Sequence, residues 1–105
     1  MPGHESPAGK TQIDPGSLYQ LGGQTLTMDG TSQALTIPSS ASIIEIDAED
    51  EKVYYNLGGG IASALSPGYV PKDNGRFIGP LANLSAVTIF GVAGGYAHIQ
   101  YFRFA

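Results

Sequence analysis

The acidic side chains of this chain are concentrated in one short stretch. Glu45 and Asp47 alternate along a predicted strand, and Glu49, Asp50 and Glu51 follow in the bend after it. Oxygen ligands at alternating positions suit Ca²⁺, but the stretch lacks both the ligand spacing and the terminal bidentate Glu of a calcium loop. We interpret it as a solvated strand end followed by a bend, with a cation site at an interface as the alternative.

A catalytic or metal-binding role for histidine has little support, because the chain has two histidines, His4 and His98, and no cysteine. A hydrolytic triad would have to use His98, yet no Gly-x-Ser-x-Gly motif supplies an exposed nucleophile. A zinc site would need carboxylates at most of its positions. Since His98 lies between Ala97 and Ile99 in a predicted strand, we interpret it as a structural or interface residue.

Gly58, Gly59 and Gly60 resemble a phosphate-binding loop only in composition. No Gly-Lys-Ser/Thr or Gly-x-Gly-x-x-Gly motif is present, and no helix start follows them. Glycoside hydrolysis by paired carboxylates is not favoured either, because sugar-positioning residues are not identifiable and tryptophan is absent. We therefore predict no catalytic residues, no metal and no cofactor, and a protein that is not an enzyme.

The composition predicts one domain and narrows the choice of partners. A chain of 105 residues with 42% hydrophobic residues has room for one core. The net charge is -4, with no Lys/Arg cluster to neutralise phosphates, so nucleic acid is not an expected partner. No apolar stretch approaches the roughly 20 residues of a membrane helix, and no secretion signal is recognisable at the N-terminus. We expect a soluble protein with no membrane partner.

The elements that must position these residues are short strands. Only 13% of residues are charged, and 15 Gly and 7 Pro disfavour helices. No segment shows a 3.6-residue apolar period. The predicted strands, bounded by turn residues, are 18–21, 24–28, 33–37, 42–47, 52–57, 76–80, 85–92 and 96–104, with an irregular region over 58–75. The fold class predicted is all-β, a single small β-sandwich or barrel of 7–8 short antiparallel strands.

The last two predicted strands have the pattern of a β-hairpin. Residues 85–92 and 96–104 are apolar runs of period two, and Gly94 and Gly95 between them suit a tight turn. Alternation places one set of side chains of the last strand in the core, namely Ala97, Ile99 and Tyr101. It places the other set on the opposite face, namely His98, Gln100, Phe102 and Phe104. Phe102 and Phe104 make the end of that second face apolar, so another sheet or a neighbouring subunit should cover it.

Alternation also assigns the inward side chains of the earlier strands. Ile44 and Ile46 face one way in their strand, and Val53, Tyr55 and Leu57 are predicted to face the core. Two turns are predicted at Gly22-Gly23 and Asp29-Gly30.

Residues 1–16 differ in composition from the 17–105 domain. They contain Pro2, Pro7 and Pro15 and, beyond Met1, Ile13 as the one sizeable aliphatic residue. Such a segment buries too little apolar area to offset its ordering entropy, which predicts a flexible N-terminal arm. The arm either frays as a terminus or orders on a partner. The interface candidates of the chain are Ile13, Tyr69, Phe77, Phe102 and Phe104.

Several segments together resemble a known group of proteins. They are 34–48, with a strand ending in Ile37-Pro38 and a second strand with an acidic end, 53–58, 62–63, 79–84 and the closing strand 96–102. This succession resembles the small all-β structural proteins encoded beside capsid genes in tailed bacteriophages. The resemblance covers about residues 33 to 104, in short elements that are common in β proteins.

The resemblance implies a virion component of the capsid decoration or cement type. Such a protein binds the major capsid protein on the capsid exterior, commonly as a trimer that bridges capsomers, and is assembled in the host cytoplasm. Two alternatives stay open. One is another virion structural protein, at the neck, tail or fibre base. The other is a carbohydrate-binding β-sandwich module, with Tyr54, Tyr69 and Tyr96 as stacking residues.

Overall fold

This computed structural model of the protein describes residues 18–82, 84 and 86–104. These residues form eight strands and no helix. The strands are β1 (Leu18–Thr27), β2 (Gln33–Ala34), β3 (Ile43–Glu49), β4 (Val53–Asn56), β5 (Gly68–Val70), β6 (Gly75–Ile78), β7 (Thr88–Phe90) and β8 (Tyr96–Phe104). The all-β prediction of seven or eight short antiparallel strands is confirmed. The predicted arm, with Ile13, lies outside the described residues.

The strands form two four-stranded antiparallel sheets. The first sheet has the order β1-β8-β3-β6 and the second has the order β2-β7-β4-β5. Four of the pairings join β1 to β8, β2 to β7, β3 to β6 and β4 to β5, which is the pattern of one long hairpin rolled into two layers. This topology is that of an eight-stranded jelly roll.

The core lies between the two sheets and follows the period-two alternation of the strands. From the first sheet, β3 and β8 contribute their alternate apolar residues, which are Ile44, Ile46, Ala48, Ala97, Ile99 and Tyr101. From the second sheet, Val53, Tyr55 and Ile89 pack against them. The alternation predicted for β3 and β8, and the inward position predicted for Val53 and Tyr55 in β4, are confirmed. Leu57 was predicted inward wrongly: β4 ends at Asn56, and Leu57 is exposed in the loop that follows.

The two C-terminal strands lie in different sheets, so the predicted hairpin is wrong. β7 pairs with β2 and β4, whereas β8 pairs with β1 and β3. The chain crosses between sheets over 91–95, beside the crossing from β1 to β2. The Met28 N–H donates to the Gly95 carbonyl and the Gly30 N–H to the Gly91 carbonyl. The two crossings therefore bond to each other, and each strand pairs with partners distant in sequence.

β1 is one strand of ten residues rather than the predicted two strands around a Gly22-Gly23 turn. The pairing with β8 shifts register between Gln20 and Gly22, which is a β-bulge, and then continues to Thr27. Gly22 has a φ of 110°, a conformation that glycine adopts readily. The two glycines accommodate a bulge because β8 offers pairing partners along the whole length of β1.

The region 58–75, predicted irregular, contains one further strand. β5 pairs with β4 in the register Val53↔Val70, Tyr54↔Tyr69 and Tyr55↔Gly68. A loop over 57–67 precedes β5. A short turn over 71–74 leads from β5 to β6 and so from the second sheet to the first.

Candidate interaction surfaces

The outward face of the first sheet ends in a group of apolar side chains that we call the apolar patch: Ile43, Phe77, Phe102 and Phe104. Ile43 pairs with Phe102 across β3 and β8, and the rings of Phe77 and Phe102 lie 5.9 Å apart. Phe77 and Phe104 are 44% and 49% exposed. Three of the five predicted interface residues are therefore gathered on one surface. Such an exposed apolar surface is typical of a protein interface.

Ile43 is fully buried although it belongs to this outward face. It has no exposed area, yet it is not among the residues of the core between the sheets. Alternation places it on the side opposite to Ile44. The apolar patch thus has a buried base, and the exposed phenyl rings stand around it.

A row of acids occupies the same face of β3, between the apolar patch and the bend after the strand. Glu45 and Asp47 alternate outward, as predicted, and Glu49, which was predicted in the bend, is the last residue of β3 on the same face. Partial burial raises the pKa of Glu45, and the nearby charge of Asp47 raises it further. No group of three or more His, Cys, Asp or Glu residues suited to a metal ion occurs in the described residues. The row is accordingly a negative surface on an open sheet.

His98 joins three strands in the middle of the first sheet. Its Nε2 lies 2.6 Å from Oε1 of Glu49 on β3, and its Nδ1 lies 3.1 Å from Oγ1 of Thr25 on β1. The sequence pattern did not identify Thr25 or Glu49 as partners of His98, since both come from strands far away in the chain. About half of the His98 and Glu49 side chains is exposed to water. These two contacts connect β8 to β3 and β1 on a solvent-exposed surface, which agrees with the structural interpretation of His98.

The outward face of the second sheet carries an aromatic row. Tyr69, Tyr54 and Phe90 occupy neighbouring positions on β5, β4 and β7, and each adjacent pair of rings is 6.2 Å apart between centroids. Lys52 Nζ lies 4.8 Å from the Tyr69 ring centre and 5.4 Å from that of Tyr54. These are cation–π distances. The row combines flat apolar rings with one positive charge.

Tyr96 is not part of this aromatic row. It begins β8 in the first sheet, where it pairs with Thr27 and Glu49. The three tyrosines proposed as sugar-stacking residues therefore do not form one surface. Phe90 supplies the third ring of the row, and its alternation with the buried Ile89 could have indicated that it faces outward.

The loop between β4 and β5, residues 57–67, presents two aliphatic side chains almost fully to solvent. Ile61 is 84% exposed and Leu65 is 92% exposed. No charged residue occurs in this segment, which we call the apolar loop. Sequence reasoning marked the region as a long loop but did not select these residues. An uncharged Gly- and Ser-rich segment containing Ile and Leu was the available signal.

Hydrogen bonds to β7 and to the connection before β2 hold the apolar loop in one shape. The Ala62 N–H donates to Oγ of Ser32 at 2.9 Å, and Oγ1 of Thr88 donates to the Gly60 carbonyl at 2.7 Å. Ala62 is buried, while the flanking Ile61 is exposed. Inside the loop, the Ser63 N–H donates to Oγ of Ser66. A shape already fixed in the free protein lowers the entropic cost of binding through these side chains.

No family model, curated protein or solved structure matches this chain. Among the described residues, no helix is long and apolar enough to cross a membrane.

Of the predicted interface residues, Phe77, Phe102 and Phe104 lie together, and Tyr69 lies on the opposite sheet.

Proposed function

We propose that this protein is a structural component of a bacteriophage particle, a decoration or cement protein that binds the major capsid protein on the outside of the shell and stabilises contacts between capsomers. It acts by binding and carries out no catalysis. In this proposal the protein works as an oligomer, a trimer by the resemblance of its sequence.

The observation that carries this proposal is the presence of apolar surface on both outer faces of the sandwich. The apolar patch lies on the first sheet, while the aromatic row and the apolar loop lie on the side of the second. A chain of this size exposes single apolar residues routinely, but grouped ones mark sites of association. Two such surfaces on opposite sides suit a protein that is held between neighbours in an assembly.

The fold is compatible with this function without deciding it. Jelly rolls occur in viral capsid proteins, in lectins and in cupins, so topology alone does not select among them. In this chain the space between the sheets is filled by apolar side chains such as Ile46, Ile89 and Ile99. A binding role on the outer surface is therefore better supported than chemistry inside the sandwich.

Binding to shells tests the proposal directly. The genes that flank this one are read for a major capsid protein, and purified protein is mixed with shells of that capsid protein, assembled without decoration, and sedimented. Saturable co-sedimentation is expected. Labelled protein imaged by electron microscopy should decorate the head of the particle. Absence of binding to the shell would contradict the proposal, and labelling at the tail would favour the neck, tail or fibre-base alternative.

A second candidate function is carbohydrate binding, which the aromatic row favours. Tyr69, Tyr54 and Phe90 offer adjacent rings on one accessible sheet, and aromatic rings stack on the apolar faces of sugars. A glycan array screened with the wild-type protein and with Tyr69→Ala tests it. Binding that is lost in Tyr69→Ala would support this function, whereas an array without hits would remove it.

A further inference from the structure

Charge and apolarity follow the same order on the two outer faces of the sandwich. The order of the side chains is described from the bend at Asp50 and Glu51, which joins β3 to β4, towards the opposite ends of these strands. On the first sheet, the acidic row comes first and the apolar patch begins at Ile43, at the far end of β3. On the second sheet, Lys52 comes first, the aromatic row follows, and the apolar loop comes after the end of β4. The two faces therefore have matching apolar ends and opposite charges at the bend end.

From this order we infer that a second copy of this chain is the partner of these faces: the outer face of the first sheet in one copy packs against the outer face of the second sheet in the next. With both copies oriented alike, Lys52 of one copy lies over Asp47 and its acidic neighbours in the other. The apolar patch then meets the apolar loop. This contact does not depend on the proposed function.

Charge complementarity favours this contact between unlike faces over a contact between two first sheets or between two second sheets. No described carboxylate lies within 4.0 Å of Lys52, and the one ion pair among the described residues joins His98 to Glu49. Two copies meeting through their first sheets would place acids against acids or against phenyl rings, which is unfavourable in either arrangement. Two copies meeting through their second sheets would leave the acidic row unpaired. Only the contact between unlike faces brings the lysine to the acids.

The apolar halves of the two faces also suit each other in shape. The apolar loop projects Ile61 and Leu65 from the second-sheet side, and its hydrogen bonds to Ser32 and Thr88 hold it in place. The apolar patch offers exposed phenyl rings around a buried base at Ile43. Projecting aliphatic side chains and an aromatic surface exclude water from each other when they pack.

A contact between unlike faces is heterologous, so it repeats. Each copy that joins presents a free first-sheet face and a free second-sheet face to the next copy. Copies therefore add until a ring closes or an open stack grows. A dimer that stops at two would require a symmetric contact and is not expected.

Sedimentation velocity and light scattering of the full chain test the inference, with concentrations up to about 1 mM, where even a millimolar contact is half populated. The mass is expected to rise above 10.9 kDa with concentration and to pass beyond the dimer, either to a closed ring or to a growing series. Added salt should weaken the association, because part of it is electrostatic. A mass of 10.9 kDa at every concentration, or a dimer that does not grow, would overturn the inference.

Substitutions on the apolar loop identify the surface. Ile61→Ser combined with Leu65→Ser should weaken association about a hundredfold or more, since both side chains would be central to the contact. Both residues are exposed, so the fold should persist, and thermal unfolding verifies this. Val92→Ser is the matched control: Val92 is 48% exposed in the connection from β7 to β8, outside both faces. Equal association of the loop variant and the control would contradict the inference.

Charge reversal distinguishes the contact between the first-sheet face and the second-sheet face from any other contact. Lys52→Glu and Asp47→Lys should each weaken association about tenfold at low salt. An equimolar mixture of the two variants should recover association and growth, because alternating copies have charge pairing at both contacts. The substituted faces of Lys52→Glu and Asp47→Lys meet with reversed charges, and Lys52 of the second variant meets Asp47 of the first as in the wild type. Failure of the mixture to associate more tightly than either variant would count against the assigned faces. Shell binding by a monomeric protein would leave the capsid-binding role standing without this inference and without the proposed oligomer, and self-association without shell binding would do the reverse.

Discussion

Tyr101 donates its phenolic hydrogen to Oε1 of Gln24, and this bond ties the buried centre of β8 to the edge strand β1. The same oxygen accepts the backbone N–H of Thr36, at 3.2 Å, from the connection between β2 and β3. One side-chain oxygen therefore links three segments of the chain. Burial of the hydroxyl raises the pKa of Tyr101 to about 12.

Removing this hydroxyl should lower the stability of the domain. Tyr101→Phe leaves the ring in the core but removes a donor to Gln24, and we expect a loss of about 1 kcal/mol, the usual net value of such a bond. Urea unfolding at neutral pH measures it. Tyr69→Phe serves as the control, because Tyr69 is exposed on the other sheet, and its effect should stay within about 0.5 kcal/mol. Equal effects of the two substitutions would contradict the role of the bond.

Stability should fall at alkaline pH because of the same residue. A tyrosine ionises near pH 10 in the unfolded chain and at about 12 in the folded protein. Between these values the unfolded state binds fewer protons than the folded state, so the free energy of unfolding decreases as the pH rises. Tyr101→Phe should show a shallower decrease than the wild type between pH 10 and 12. Parallel pH profiles for the two proteins would show that Tyr101 is not the source.

Glu45 should produce a second pH dependence on the acidic side. Its pKa lies above 4.5, the ordinary value of a glutamate, because partial burial and then the charge of Asp47 disfavour its ionised form. The folded state thus keeps a proton that the unfolded state has lost, and stability declines as the pH rises from about 4.5 through the raised pKa. Glu45→Gln should flatten this part of the profile and increase stability at neutral pH. Glu51→Gln in the exposed bend is the control, and a decrease of stability in Glu45→Gln at neutral pH would contradict the prediction.

Gly68 should not tolerate a side chain. A Cβ at this position would overlap ring atoms of Tyr55, the residue paired with Gly68 across β4 and β5. The Tyr55 ring belongs to the core, and its hydroxyl accepts a hydrogen bond from Arg76 at 3.3 Å, so it has little freedom to move. Gly68→Ala should destabilise the fold by about 1–3 kcal/mol. In Gly58→Ala the nearest atom is Oδ1 of Asn56 at 3.4 Å, and denaturant unfolding should show a clearly smaller effect.

The apolar patch should divide into a residue that supports the fold and residues that serve association. Ile43 has no exposed area, so Ile43→Ala should cost about 2–4 kcal/mol of stability. Phe104 is 49% exposed, and Phe104→Ala should cost less than about 1 kcal/mol while weakening association of the chain. Unfolding and sedimentation of both variants check this. A larger loss of stability for Phe104→Ala than for Ile43→Ala would contradict the division.

Local patterns predicted which side chains face the core but not which strands pair. The alternation of Ile44 with Glu45, and of Ile99 with His98, identified the inward faces of β3 and β8 correctly, because the side-chain period of a strand is a local property. The glycine pairs gave the wrong connections. Gly22-Gly23 forms a bulge within β1, and Gly94-Gly95 belongs to a crossing between sheets. Glycine permits each of these conformations, and distant strands decide which one occurs.

The interaction surfaces were predictable only in part. Phe102 and Phe104 were identified from the last strand alone, because an apolar end on the second face of a strand is visible in the pattern. The position of Phe77 beside Phe102 depends on β6 pairing with β3, and that of Tyr69 beside Tyr54 depends on β5 pairing with β4. Ile61 and Leu65 lack any period that marks exposure, so only the path of the loop showed them in solvent.

By itself the sequence determined an all-β domain, its small number of charged residues and the inward faces of β3 and β8, since each of these follows from composition or from neighbours within a few residues. Only the tertiary structure decided that β7 and β8 separate into two sheets, that His98 reaches Thr25 and Glu49, and that charge and apolar side chains follow the same order on both faces. Strand pairing between residues far apart in the chain depends on burying the core faces together, and no local pattern contains that information.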